Sequence, residues 1–224
     1  MKQFIVLISL MALATISCEA QTIRGEGDVV KQEIDLAAIT GVKLGFHGNI
    51  VLTRGSNQKI VLEGQQNILD NIKREVKNGT WNVTNDKNVR NAKPVTVYIT
   101  MATLREASIS GSGNITTTNA FNNLGDLKTA VSGSGNIDLE VVAGDITASV
   151  SGSGEIQLRG SASSLDIHIS GSGDVKAEDL NVTDCMVHIS GSGNARVHAS
   201  GSLEATISGS GDVRYRGEAA KVRS

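Results

Sequence analysis

The tetrapeptide SGSG occurs six times, at 110–113, 132–135, 151–154, 170–173, 190–193 and 208–211, each time followed by a polar residue and then by Ile, Val or Ala. The first glycines of the six, Gly111, Gly133, Gly152, Gly171, Gly191 and Gly209, lie 22, 19, 19, 20 and 18 residues apart. A period near twenty marks stacked supersecondary units, each too small to bury its own apolar face. Positions counted back from those glycines identify the unit. Two residues before them stand Ile109, Val131, Val150, Ile169, Ile189 and Ile207; four before, Thr129, Ala148, Ile167, Val187 and Ala205; six before, Leu127, Ile146, Leu165, Cys185 and Leu203. Between these stand Lys128, Thr147, Asp166, Met186 and Glu204, then Ala130, Ser149, His168, His188 and Thr206. Alternation with period two is the pattern of a strand with one buried face.

The alternation crosses the motif without changing parity. It puts the second glycines, Gly113, Gly135, Gly154, Gly173, Gly193 and Gly211, in inward slots together with the first, and the serines outside. Flexible linkers have no reason to keep parity with flanking branched residues. The expected fold is therefore all-β: a parallel β-helix (β-solenoid) of about 18–22 residues per coil, right-handed as parallel crossovers almost always are. Glycines are expected where the chain bends and a Cβ does not fit or φ is positive. With aromatic residues at 3 % of the chain and a single Pro, stacking rather than bulky-residue packing has to supply the core. An open stack exposes strand edges and needs caps; Tyr215, with Arg214, Arg216, Lys221 and Arg223, is the expected C-terminal one.

The remainder of the chain divides around this array. Residues 1–20 read as a signal peptide: Lys2, an apolar stretch from Phe4 to Ile16 too short to span a bilayer, then SCEAQ. Two cuts fit, one after Ala20 and one in which TISC acts as a lipobox and Cys18 becomes the lipidated first residue. The protein is expected to be exported, to the periplasm, the outer-membrane surface or the medium, with any membrane attachment through that lipid. Residues 21–103 are a more irregular N-terminal region, 104–216 the GSG array and 217–224 a tail. In the first of these, VKLGF (42–46), NIVLTRG (49–55), KIVLEG (59–64), TWNVT (80–84) and VTVYIT (95–100) are strand candidates, and NILDNI (67–72) a short helix or turn. HGNIVL (47–52) echoes the later motif and suggests a degenerate part of the same solenoid; a separate small sandwich is the alternative.

The FHGNIVLTRG segment, the following IVLEGQQNILDNIKREVKNGTWNV and the serial SGSG(N/D)(I/V) coils resemble the putative auto-transporter adhesin, head GIN domain family of Bacteroidetes-type bacteria. That resemblance implies a right-handed β-helix of pectin-lyase-like architecture, no recognised catalytic residues and a role in cell adhesion. The family has no established functional residues, so none transfer.

On their own terms the candidate groups form columns. His168 and His188 occupy one outward slot of consecutive coils, where their rings would stack about 5 Å apart, with Ser149 and Thr206 as neighbours and no third ligand. The slot after the second glycine holds Asn114, Asn136, Glu155, Asp174, Asn194 and Asp212. It has part of the calcium nonapeptide G-G-x-G-x-D, but no residue separates glycine from acid, which breaks that ligand geometry and favours a turn-residue ladder. Lys176, Arg196 and Arg214, two places on, form a basic stripe that offsets the acids or meets an anionic polymer. A net charge of −2 without basic runs gives no case for nucleic acid. No nucleophile and base are paired, and no cofactor or metal site is expected. An adhesive or scaffolding surface protein with a cell-surface or extracellular polymer or protein as partner is the favoured reading. A polysaccharide-binding or polysaccharide-processing β-helix is the alternative.

Overall fold

The computed structural model describes residues 21–218 and 221–223. Its framework is a stack of coils whose strands pair in parallel, coil upon coil, on either side of a tight corner. Before the corner the stack runs Thr80–Val83, Gly41–Leu44, Glu106–Gly111, Leu127–Gly133, and then the corresponding parts of Asn136–Gly152, Glu155–Gly171, Asp174–Gly191 and Asn194–Gly209. After it the stack runs Thr96–Met101, Asn49–Arg54, Asn114–Thr117, the first halves of those long strands and finally Val213–Arg216. The β-solenoid expected from the sequence is the fold observed. All five N-terminal strand candidates are strands, and the short helix Gln66–Leu69 overlaps the start of NILDNI; Val29–Ile34 is a strand that the alternation did not single out.

The glycine register holds through the whole array: Gly111, Gly133, Gly152, Gly171, Gly191 and Gly209 stand directly above one another. Unequal coil lengths are absorbed elsewhere. The extra residue of the 20-residue coil enters as a bulge opposite Gln157–Arg159, and the shorter coil after it slips between Ala177 and Asn181 and again between Val182 and Asp184. The two glycines of each motif differ from the expectation that both point inward. The second is buried in the first five motifs, and a Cβ on Gly173 would run into the Val150 side chain and the Gly154 carbonyl. The first is only half-buried over most of the array and has positive φ, +116° at Gly171, and its Cβ would point along the stack to 2.6 Å from the Gly152 carbonyl oxygen. That oxygen already accepts the Ser172 amide at 2.9 Å. One glycine therefore opens room for the core, and the other lets consecutive coils approach.

A single continuous core fills the stack. Ile137, Ile156, Val175 and Ala195 form one inward column and Leu139, Leu158, Ala177 and Val197 the next, all essentially inaccessible. Larger side chains lie toward the N-terminal end, where Trp81 and Phe121 are fully buried and the Trp81 indole donates to the Lys73 carbonyl at 2.9 Å.

The N-terminal coils are out of chain order: residues 41–54 lie between the coil of 80–101 and that of 106–117. Beyond Thr96–Met101 the sheet continues with two antiparallel strands, Lys59–Gln65 and then Val29–Ile34. Residues 29–101 thus join the solenoid's own sheet and at the same time cover its first edge. The C-terminal end carries part of the expected cap: the strand Lys221–Arg223 pairs in parallel over Ser202–Glu204. Tyr215 pairs over Val197 but is 49 % exposed, and Ile207 is 44 % exposed, because no further coil among the described residues packs on them. Arg216 instead reaches back to the Glu178 carbonyl and to Asp179 at 2.7 Å.

Candidate functional site

The outward columns come together as the register requires. His168 and His188 are paired in the ladder, their rings 5.3 Å apart and stacked within 16°. His168 Nε2 also lies 3.1 Å from Asp166. Both imidazoles line a shallow groove of about 360 Å³ with serines of three coils and Thr206. Among the described residues no three His, Cys, Asp or Glu side chains gather in a geometry that could hold a metal ion.

The column after the second glycine is a hydrogen-bonded ladder at both ends. Asn136 donates to Asn114 (3.0 Å) and Asn114 to Asn49 (2.9 Å). Asn194 donates through its side chain to Asp174 (2.9 Å), and the Asp212 amide donates to Asn194 (3.2 Å). Glu155 leaves the ladder and pairs with Lys176 at 2.6 Å. The basic stripe is likewise drawn into contacts between coils: Arg196 stands 3.9 Å from Glu178, while Arg159, in the adjoining column, pairs with Asp138 at 2.7 Å. Arg214 is exposed and makes no ion pair among the described residues. Acids and bases on this face thus alternate between coils, which limits the free positive charge that a stripe of three cations would otherwise present.

A second feature, which the repeat pattern does not show, sits at the N-terminal end of the corner. Leu44 pairs with Ile109 and Asn49 with Asn114, so residues 45–48 (GFHG) occupy the place of Ser110–Gly113. In the next coil outward Val83 pairs with Leu44 and Thr96 with Asn49, so the corner runs over 84–95, twelve residues where its neighbour has four. The enlarged corner and the 45–48 turn enclose a cleft of about 520 Å³, with Ile68 of the short helix also in its wall. The lengthened spacing between TWNV and VTVYIT, and Phe46 and His47 in place of Gly and Ser, are the signals in the sequence.

The cleft wall is held from behind by buried amides. Asn71, 7 % exposed, grips the Lys87 backbone twice: the Lys87 amide donates to its Oδ1 and its Nδ2 donates to the Lys87 carbonyl, each at 3.0 Å. Gln65, 5 % exposed, accepts the Lys93 amide at 2.8 Å and donates to the Gly27 carbonyl at 3.0 Å. The strand Thr22–Arg24 runs parallel to Asn88–Arg90 and fixes the outer side.

Comparison with known proteins gives the fold and the family. A putative adhesin from Bacteroides fragilis NCTC 9343 matches with a TM-score of 0.82 and 25 % identity, over 90 % of this chain and 94 % of that one. A putative adhesin from Parabacteroides merdae ATCC 43184 matches with 0.71 and 22 %, over 92 % and 95 %. A protein described as a putative lipid binding protein from Parabacteroides distasonis ATCC 8503 matches with 0.64 and 18 %, over 91 % and 100 %. None of the curated proteins matches this chain. Residues 38–219, which take in the coil of 41–54, the enlarged corner and all six GSG corners, match the model of one family. The chain belongs to the putative auto-transporter adhesin, head GIN domain family.

Proposed function

We propose that this is a non-enzymatic protein of the cell envelope that works by adhesion, and that the array of GSG coils is its contact surface. One observation carries the reading: outward groups repeat down columns in unbroken register, so the surface offers the same shallow features several times over. Ser110, Ser132, Ser151, Ser170, Ser190 and Ser208 form one exposed column and the middle serines of the motifs another, with His168 and His188 beside them. Such a surface suits weak, multivalent contact with an extended polymer or with another cell-surface protein. Catalysis by contrast needs unlike groups converging on one point.

Export and attachment form part of the same proposal. The N-terminal segment and Cys18 lie outside the described residues, and no helix among those described is long and apolar enough to cross a membrane. Cys18→Ala is expected to release the protein from the membrane fraction, since several acyl chains anchor firmly where one does not. Intact-mass spectrometry showing an unmodified N-terminal Gln21 would establish the soluble form instead.

The contact surface is tested by cell adhesion and co-aggregation. Single substitutions at His168, Asp174 or Arg196 are expected to change either by less than about twofold, whereas replacing Lys176, Arg196 and Arg214 together by Gln is expected to change them by about tenfold if that column is the one engaged. A melting curve of the triple variant separates lost contact from the lost Glu155 and Glu178 pairs. Turnover of an acidic polysaccharide that a single carboxylate substitution abolishes would replace the adhesive reading with an enzymatic one.

A further inference from the structure

The cleft at the enlarged corner departs from the logic of the array in every respect that matters for binding a small ligand. Stacking repeats residues down columns, yet here the column breaks: Phe46 stands in the register of Gly111 and His47 in that of Ser112. The neighbouring corner is expanded threefold in length, at the cost of extra ordered backbone. Two of the three buried polar side chains in the described protein, Gln65 and Asn71, are used to fix that backbone at Lys93 and Lys87. A loop held by buried amides is a pre-organised one, and pre-organisation lowers the entropic cost of binding.

We infer that this cleft is a binding site for an acidic saccharide, a uronate-type unit of a glycan. Its chemistry is mixed in the way such a ligand requires. Lys87 and Lys93 are exposed cations with no ion pair among the described residues, while Asp86, the one acid in the lining, is engaged by Lys73 at 3.5 Å. The cleft is therefore positive, suited to a carboxylate. Asn88 and Asn91, both exposed in the lining, offer amides that donate to and accept from sugar hydroxyls. Half-buried Phe46, whose ring packs over Gly48, supplies an apolar face for the sugar ring. The volume of about 520 Å³ lies within the range of small-ligand sites.

The site is separate from the GSG surface and does not rest on the adhesive reading. Its test is titration of the purified protein with a galacturonate trimer, with maltotriose as the neutral counterpart and inorganic phosphate as the plain anion, followed by amide chemical shifts. The trimer is expected to shift residues 45–48 and 84–95 and to leave those around His168 and His188 unmoved. The pair Lys87→Gln and Lys93→Gln together is expected to weaken it about tenfold, and maltotriose to bind about tenfold more weakly than the trimer. Both lysines are exposed, so this variant is expected to melt with the wild type; Phe46→Ala, checked by its own melt, is expected to weaken the trimer as well. No shifts with the trimer at millimolar concentration, equal binding by wild type and the double-lysine variant, or displacement of the trimer by phosphate at matched concentration would each overturn the inference.

Discussion

Gly171 shows what a single residue has to satisfy in this fold. Its φ of +116° is in a region that side chains rarely adopt, and its missing Cβ faces the Gly152 carbonyl of the coil before. Gly171→Val is therefore expected to cost about 3–5 kcal/mol, combining backbone strain with displacement of a neighbouring coil. Ser172→Val, one residue on and fully outside, is expected to cost less than about 1 kcal/mol; thermal melts of the two variants make the comparison. Cys185, 3 % exposed, sits between Leu165 and Leu203 in an inward column. Its thiol is pushed up from 9.0 to about 12, first by burial and then by the negative charge of Asp166. It is neutral in both states below pH 9, where its contribution to stability is intact. Between pH 9 and 12 the unfolded chain ionises and the folded one does not, so stability falls as pH rises. Urea melts at pH 8 and pH 10 are expected to show wild type losing more stability than Cys185→Ala. Thiol reagents should label Cys185 only as the protein unfolds.

Among the elements, the corner is the variable one and the strands flanking it are constant. Four residues suffice when the corner only has to turn, as SGSG does, with the serine amide donating to the glycine carbonyl one coil back, at 2.9 Å for Ser153 and Gly133. Twelve residues at 84–95 need their own support, which comes from Asn71, Gln65 and the strand Thr22–Arg24. Asn71→Ala removes partners from both the amide and the carbonyl of Lys87. It is expected to cost about 1–3 kcal/mol for each group left buried and unpaired, and to speed hydrogen exchange over 86–93 well before it changes exchange in the GSG coils. Uniform acceleration along the whole chain would show that this corner is coupled to the array rather than locally held.

The whole molecule is quasi-one-dimensional: each coil contacts the coils beside it, and stability accumulates along the stack. The two ends are treated differently. The first edge is covered by antiparallel strands, whereas Lys221–Arg223 covers only Ser202–Glu204 of the last coil and leaves Ile207 and Tyr215 half-exposed. Native-state hydrogen exchange is accordingly expected to be slowest in residues 137–170 and fastest in Val213–Arg216. Opening that began at the N-terminal end instead would mean that the antiparallel cover adds little.

The sequence by itself determined the solenoid, its glycine corners, the inward columns and the stacking of His168 on His188. All of these follow from a repeat read in period two, because identical residues at one spacing can bury the same face only by stacking in register. It also marked the coil of 41–54, through the Asn49-Ile50 echo of the later motif. Tertiary structure decided the remainder. That residues 41–54 insert between 80–101 and 106–117 depends on which edge a later segment finds free, and local alternation carries no information about that. The separate tasks of the two glycines depend on the direction of a Cβ at a bend, which parity alone does not give. The cleft came from two corners distant in sequence, one altered and one lengthened, that meet only because their flanking strands pair; neither is a motif until the other is beside it.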